Sequence, residues 1–299
     1  MRKKTFFAAV FALALLAVAA CSRMEQGRQG TGLPIILDAS IGVSTRAATN
    51  GNAEVFETGD QVALYAWTGS SSEIPATRVV DGVVNELQAN GSWKPSDDMF
   101  WLDFDSPHYF LGIYPARTVS DFKADSFTLN PADYEASDLL AGVKLDGLKA
   151  TVDPVSLSFN HLMAKFQLNL TFRDQWSGSP TVSAVAATAA TSCTVDYLAG
   201  TVAPGAQGSV ALPKLASAAQ GSAMSYGAIM IPQDGFRTIT LTVEDQTYVY
   251  THPADLKLVA GKTSVLNLTV GRDRIVPGSM TINEWTYGET YSGEVLNEE

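Results

Sequence analysis

Residues 155–172 read VSLSFNHLMAKFQLNLTF, and apolar side chains alternate with polar ones through two runs. Val155, Leu157 and Phe159 share one face of the first run, and Phe166, Leu168, Leu170 and Phe172 share one face of the second. A repeat of two is the mark of a half-buried strand, because successive side chains leave a strand on opposite faces. The stretch is therefore expected to be one long strand with a bend near His161, a histidine expected to fill the core or cap that bend.

Working outward, further short strands are expected. Gln61 to Trp67 sets Val62, Leu64 and Ala66 against Ala63, Tyr65 and Trp67, while Tyr109 to Tyr114 is apolar or aromatic and stops at Pro115. The latter reads as a central strand. Leu33 to Val43 is a strand with Pro34 near its start, where a missing N–H is tolerable. Thr238 to Tyr250 holds two alternating runs around Glu244-Asp245-Gln246 and reads as a hairpin. Thr263 to Val270 and Met280 to Tyr287 complete the series. Ser183 to Thr191 fits strand or helix, and Asp133 to Leu140 fits a single helical turn. The expected fold class is all-β, with few or no helices beyond a leader, arranged as two sandwiches in tandem. The boundary is expected near Asp153-Pro154, where the Gly/Lys/Asp-rich stretch AGVKLDGLKATVDP gives way to the long strand.

The first residues place the protein. Arg2, Lys3 and Lys4 precede an apolar run from Phe6 to Val18, and Ala19-Ala20 leads into Cys21. That is a secretory leader ending in small residues, followed at once by a cysteine, the lipobox of a bacterial lipoprotein. Cys21 is expected to carry the lipid, and two or three acyl chains make a stable membrane anchor. Of two cysteines in 299 residues, only Cys193 would then remain, so burial rather than disulfides must hold the fold. Residues 22–32 read as a flexible tether, residues 33–153 as the first sandwich, and residues 154–299 as the second with a C-terminal extension.

The formal net charge is −11. Removing residues 1–46 takes away six of 20 positive residues and two of 31 negative ones, leaving −15. Such a surface argues against nucleic acid and anionic lipid as partners. His108, His161 and His252 are scattered without metal-ligand spacing, and no nucleotide or hydrolase motif occurs. Asp97, Asp98, Asp103 and Asp105 near Trp93 and Trp101 are compatible with a glycosidase cleft and equally with the rim of a sandwich. No cofactor or metal is expected.

These pieces together resemble the fimbrillin family of pilus-subunit lipoproteins from anaerobic Gram-negative bacteria. The resemblance is carried by the lipobox, Thr45-Arg46-Ala47, FETGDQVALYAW (56–67), MFWLDFDSPHYFLGIYP (99–115), SDLLAG, LSFNHLMAKFQLNL (157–170), GAIMIPQ (227–233), AGKTSVLNLTV (260–270) and MTINEW (280–285). It implies two transthyretin-like β-sandwiches, export to the outer membrane and surface fimbriae, and no enzymatic activity. It also implies cutting after the first strand by an arginine-specific protease, here between Arg46 and Ala47. The strand carrying Leu33, Ile35, Leu37, Ile41 and Val43 would leave with the lipid.

A lost strand leaves backbone groups and an apolar groove that another chain's extended segment can fill. The candidate donor is the C-terminal segment with Met280, Ile282, Trp285, Tyr287, Tyr291, Val295 and Leu296, which also reads as the last strand of its own sandwich. Partners would be other fimbrial subunits and a host or bacterial surface ligand. The alternative is a permanently lipid-anchored binder of glycans or proteins, or a pilus anchor.

Overall fold

The computed structural model describes residues 31–42, 55–176 and 178–285, as strands and connecting loops with one four-residue helix, α1 (Tyr134–Ser137). Seven strands make the largest sheet: β1 (Leu37–Ile41), β2 (Gln61–Thr68), β3 (Val80–Leu87), β4 (Trp93–Pro95), β5 (His108–Tyr114), β7 (Leu140–Leu148) and β8 (Val155–His161). Their order is β1-β8-β7-β5-β2-β3-β4. A three-stranded sheet joins β6 (Asp125–Thr128), β11 (Ser192–Asp196) and β12 (Thr201–Pro204) in the order β12-β11-β6. One four-stranded sheet runs β14-β9-β17-β18, from β9 (Ala164–Phe172), β14 (Met224–Met230), β17 (Lys262–Val270) and β18 (Ile275–Glu284). The other runs β13-β10-β15-β16, from β10 (Val182–Ala190), β13 (Gln207–Ala211), β15 (Gln233–Val243) and β16 (Gln246–Leu258).

Several expectations resolve into specific geometry. Glu244 (φ 47°) and Asp245 (φ 65°) turn β15 into β16 with two positive-φ residues, the backbone that matches the twist of a two-residue hairpin. The helical turn is real: Asp133 caps it by accepting a hydrogen bond from the Ala136 N–H at 3.0 Å. The ambiguous Ala-rich stretch is strand β10, with Val185, Ala187 and Ala189 buried.

Residues 155–172 are two strands rather than one. β8 completes the large sheet, Leu162-Met163 carries the chain across, and β9 enters another sheet. Asp153-Pro154 thus falls inside the run of strands that forms the large sheet. The stretch AGVKLDGLKATVDP, read as a boundary, contains most of β7, which lies between β8 and β5. Its glycines have a packing reason. A Cβ on Gly142 would lie 3.0 Å from the Phe159 ring, and one on Gly112 in β5 only 2.4 Å from it. The two glycines sit side by side and leave the room that the phenyl ring occupies. Lys144 and Asp146 pair at 3.2 Å on the outer side, which accounts for the polar look of the stretch.

β2 is buried on both faces. Val62, Leu64 and Ala66 join a core with Trp93, Trp101, Phe110 and Phe159. Ala63, Tyr65 and Trp67 point the other way, into a second and larger core. That core continues through Phe127 of β6 and Val195 of β11 to Phe166 and Leu168 of β9. β6 pairs with β11 across the middle of the chain, so the two halves share a sheet as well as a core.

Candidate functional site

The smaller core is closed by the N-terminal segment. Leu33, Ile35, Leu37, Ala39 and Ile41 face it, whereas Pro34, Ile36, Asp38 and Ser40 face solvent. Ile35 and Leu37 are 3% and 4% exposed, against 45% for Ile36 between them. The apolar residues of this strand thus occupy one continuous inner face, as their alternation in sequence requires.

Two different backbones hold the segment. On one side β1 runs parallel to β8, with Leu37 opposite Val155 and Ile41 opposite Phe159. The Val155 N–H donates to the Ile36 carbonyl, and the Gly42 N–H donates to the Phe159 carbonyl, both at 2.7 Å. On the other side residues 31–35 bond to residues 99–101, just past β4. The Ile35 N–H donates to the Met99 carbonyl (2.8 Å), the Trp101 N–H to Leu33 (3.1 Å), and the Thr31 N–H to Trp101 (3.0 Å). The N-terminal segment therefore bridges the two ends of the seven-stranded sheet and draws it toward a barrel. The 99–101 flank was not anticipated. Its signal was the alternation of Met99 and Trp101 (inward) with Phe100 and Leu102 (outward) in MFWL.

The floor under the strand is aromatic. Phe56 meets Trp93, Tyr114 and Phe159 edge-on at 5.2 to 5.4 Å between ring centroids, and Trp101 meets Phe110 in the same way at 5.5 Å. His108, fully buried, fixes the loop that follows residues 99–101. Its Nε2 accepts from the Leu102 N–H at 3.1 Å, and its Nδ1 donates to the Ser106 carbonyl at 3.0 Å. That arrangement requires a neutral ring. Burial accordingly depresses its pKa, against the opposing pull of the Ser106 carbonyl and Asp103.

Asp103, one of the carboxylates weighed for catalysis, is spent on its own loop: it accepts from the N–H groups of Asp105 (2.9 Å) and Ser106 (2.6 Å). These bonds hold its pKa below the usual carboxylate value. Cys193 is buried in β11, and burial raises its thiol to about 11. Among the described residues no group of three or more His, Cys, Asp or Glu could hold a metal, and no helix is long and apolar enough to cross a membrane.

The C-terminal candidate segment is part of its own sheet as far as Glu284. Met280 lies opposite Leu266 and Ile282 opposite Ser264, in the outer strand β18. Trp285 follows directly and stacks on His161, with centroids 4.1 Å apart and planes at 13°. His161 also pairs with Asp138 at 2.8 Å, at the bend between β8 and β9. Cys21, Val43, Arg46, Ala47, Tyr287, Tyr291, Val295 and Leu296 lie outside the described residues.

A family model described as fimbrillin-like matches residues 45–285. The chain belongs to the fimbrillin-like family. It is accordingly a structural or adhesive fimbrial subunit, not an enzyme. Solved structures share the fold. A candidate cell-adhesion protein from Bacteroides uniformis ATCC 8492 matches with a TM-score of 0.62 at 19% identity, over 85% of this chain and 99% of that one. One from Bacteroides ovatus ATCC 8483 gives 0.64 at 16%, over 86% and 99%. A fimbrial protein from Bacteroides vulgatus ATCC 8482 gives 0.51 at 15%, over 85% and 99%. A comparison with curated proteins finds no match. In this fimbrillin-like chain the N-terminal strand closes one of the two cores.

Proposed function

We propose that this fimbrillin-like subunit reaches the cell surface as a lipoprotein anchored through Cys21 and is cut between Arg46 and Ala47. It then accepts an extended strand from a neighbouring subunit in place of β1. The observation that carries the reading is the position of the N-terminal strand. It closes a core, lies at the end of a sheet, and precedes the proposed cut in sequence, so one hydrolysis frees it without touching another strand. The vacated site would offer an apolar floor and two rows of backbone partners, which is what strand addition needs. Head-to-tail donation is a heterologous contact and leads to open filaments.

In this reading the chain comprises two transthyretin-like β-sandwich units in tandem, joined at Leu162-Met163 rather than at Asp153-Pro154, because β8 belongs with the first sheet. The tail beyond β18, with Tyr287, Tyr291, Val295 and Leu296, is the donor offered to the next subunit. The protein works at the outer membrane and in surface fimbriae. N-terminal sequencing of surface-extracted protein tests this: a start at Ala47 is expected. A chain still blocked at Cys21 in assembled material would refute processing.

A second reading, a lipid-anchored binder that keeps β1, is favoured by the outward row Phe100, Leu102 and Phe104, which are 40%, 36% and 59% exposed beside the 31–35 segment. Loss of surface adhesion in a Phe100→Ser, Phe104→Ser double variant with normal polymerisation would support it.

A further inference from the structure

The closing strand sets a chemical template for whatever replaces it. Five alternate positions face the core, occupied by Leu33, Ile35, Leu37, Ala39 and Ile41, over a floor of Trp93, Trp101, Phe110 and Phe159. A replacement must present apolar side chains at five alternate places, with a small one at the fourth. At the places of Ile35 and Leu37, 3% and 4% exposed, a carboxylate would be buried among apolar and aromatic residues at a heavy desolvation cost. At the partly buried places of Leu33, Ala39 and Ile41 it would replace an apolar contact with the core.

The chain's own C-terminal segment fails this template in every register. Its glutamates stand at 284, 289 and 294, five residues apart, with two more at 298 and 299. Five is odd, so successive glutamates fall on opposite faces of an extended strand. Starting at Thr286, Gly288 or Thr290, the inward set includes Glu294. Starting at Tyr287 or Glu289 it includes Glu289, and starting at Tyr291 it includes Glu299. Starts between Met280 and Trp285 bring in Glu284 or Glu289. In the most apolar register Tyr287, Tyr291, Gly293 and Val295 take the places of Leu33, Leu37, Ala39 and Ile41, but Glu289 falls on that of Ile35, which is 3% exposed.

We infer that the groove of this subunit does not accept a second copy of the same chain. Its occupant is an extended segment of a different subunit, bearing branched aliphatic side chains at four of five alternate positions and alanine or glycine at the fourth. The tail in turn serves an unlike groove. The chain thus joins a fimbria at a junction between unlike subunits. The inference rests on the proposed opening of the groove by removal of β1.

The test uses the full chain cut after Arg46 and three fluorescent peptides, with binding read by anisotropy and by co-migration on native gels. The peptide of residues 33–43 is expected to bind stably, and the peptide of residues 279–299 to bind about 100-fold more weakly or worse. The same tail peptide with Glu289→Ile and Tyr291→Leu restores the Ile35 and Leu37 side chains and is expected to recover at least about tenfold. The cut chain alone is expected to stay free of multimer ladders. A native tail peptide that binds as tightly as residues 33–43, homopolymer ladders, or no recovery by the doubly substituted peptide would overturn the inference while leaving the groove intact. Failure of the 33–43 peptide itself to bind would instead overturn the opening of the groove, and the inference with it.

Discussion

Leu37 and Ile36 are neighbours with opposite fates, and replacing each by alanine measures how firmly the N-terminal strand is held. Leu37 is 4% exposed and packs into the smaller core, whereas Ile36 is 45% exposed. Truncating a buried leucine costs about 2–5 kcal/mol, through lost transfer energy and the cavity left behind. An isoleucine already half in water should cost less than about 1 kcal/mol. For a protein of this size each kcal/mol moves the melting temperature by roughly 2–4 °C. Leu37→Ala should therefore lower it by about 4–20 °C and Ile36→Ala by less than about 4 °C.

An edge strand has an escape, because its loss is capped by the free energy with which it docks. Hydrogen exchange separates the cases. If β1 lets go by itself, the amides of Val155 and Gly42, which bond across the β1–β8 ladder, lose protection while those of β17 keep theirs. Differential scanning calorimetry and exchange mass spectrometry on the two variants make the measurement. Equal losses for Leu37→Ala and Ile36→Ala, with unchanged protection at Val155, would refute the account of a one-faced strand closing a core.

Buried His108 makes stability depend on acid. Its folded pKa lies below the ordinary 6.5, so the unfolded chain takes up the extra proton first as pH falls. Stability should be complete above about pH 6.5 and fall below it by at most about 1.4 kcal/mol per pH unit from this group. His108→Gln, which can still accept from Leu102, should flatten that slope in urea titrations; an unchanged slope would be the wrong result for this argument. Gly112→Ala should destabilise by about 1–3 kcal/mol because its Cβ would strike the Phe159 ring, and Gly112→Ala with Phe159→Leu should recover part of the loss. Cys193 should resist iodoacetamide at pH 8 in the folded protein and react at once in urea, as its burial and its thiol raised to about 11 demand.

Much of the fold was legible because alternation survives wherever one face meets a core. β17 and the β15–β16 hairpin follow their apolar pattern closely, while β5, which meets a core on each face, was marked by its continuous apolar run. β7 was hidden because two requirements erased its pattern: Gly142 makes room for Phe159, and Lys144 and Asp146 pair in solvent. β6 is four residues long, and its partner β11 lies on the far side of the chain midpoint, so nothing local marks it. The closing strand was readable as a strand with a buried face. That it would lie between β8 and residues 99–101 depends on long-range pairing, which periodicity does not encode.

The crossing at Leu162-Met163 has a mechanical consequence. Tension on a strand seated beside β8 acts along its length, so the parallel ladder is loaded in shear, with its hydrogen bonds sharing the force instead of opening one at a time. β8 passes that force through two residues into β9, whose neighbour β17 pairs with β18, and β18 leads to the tail. The stacking of Trp285 on His161 ties the root of the tail to the same bend. A pull between neighbouring subunits would therefore travel through covalent backbone and strand ladders, bypassing the loops and the other two sheets. Under the proposed strand exchange, such a subunit would act as a link in a chain, loaded along the axis on which a filament is stretched.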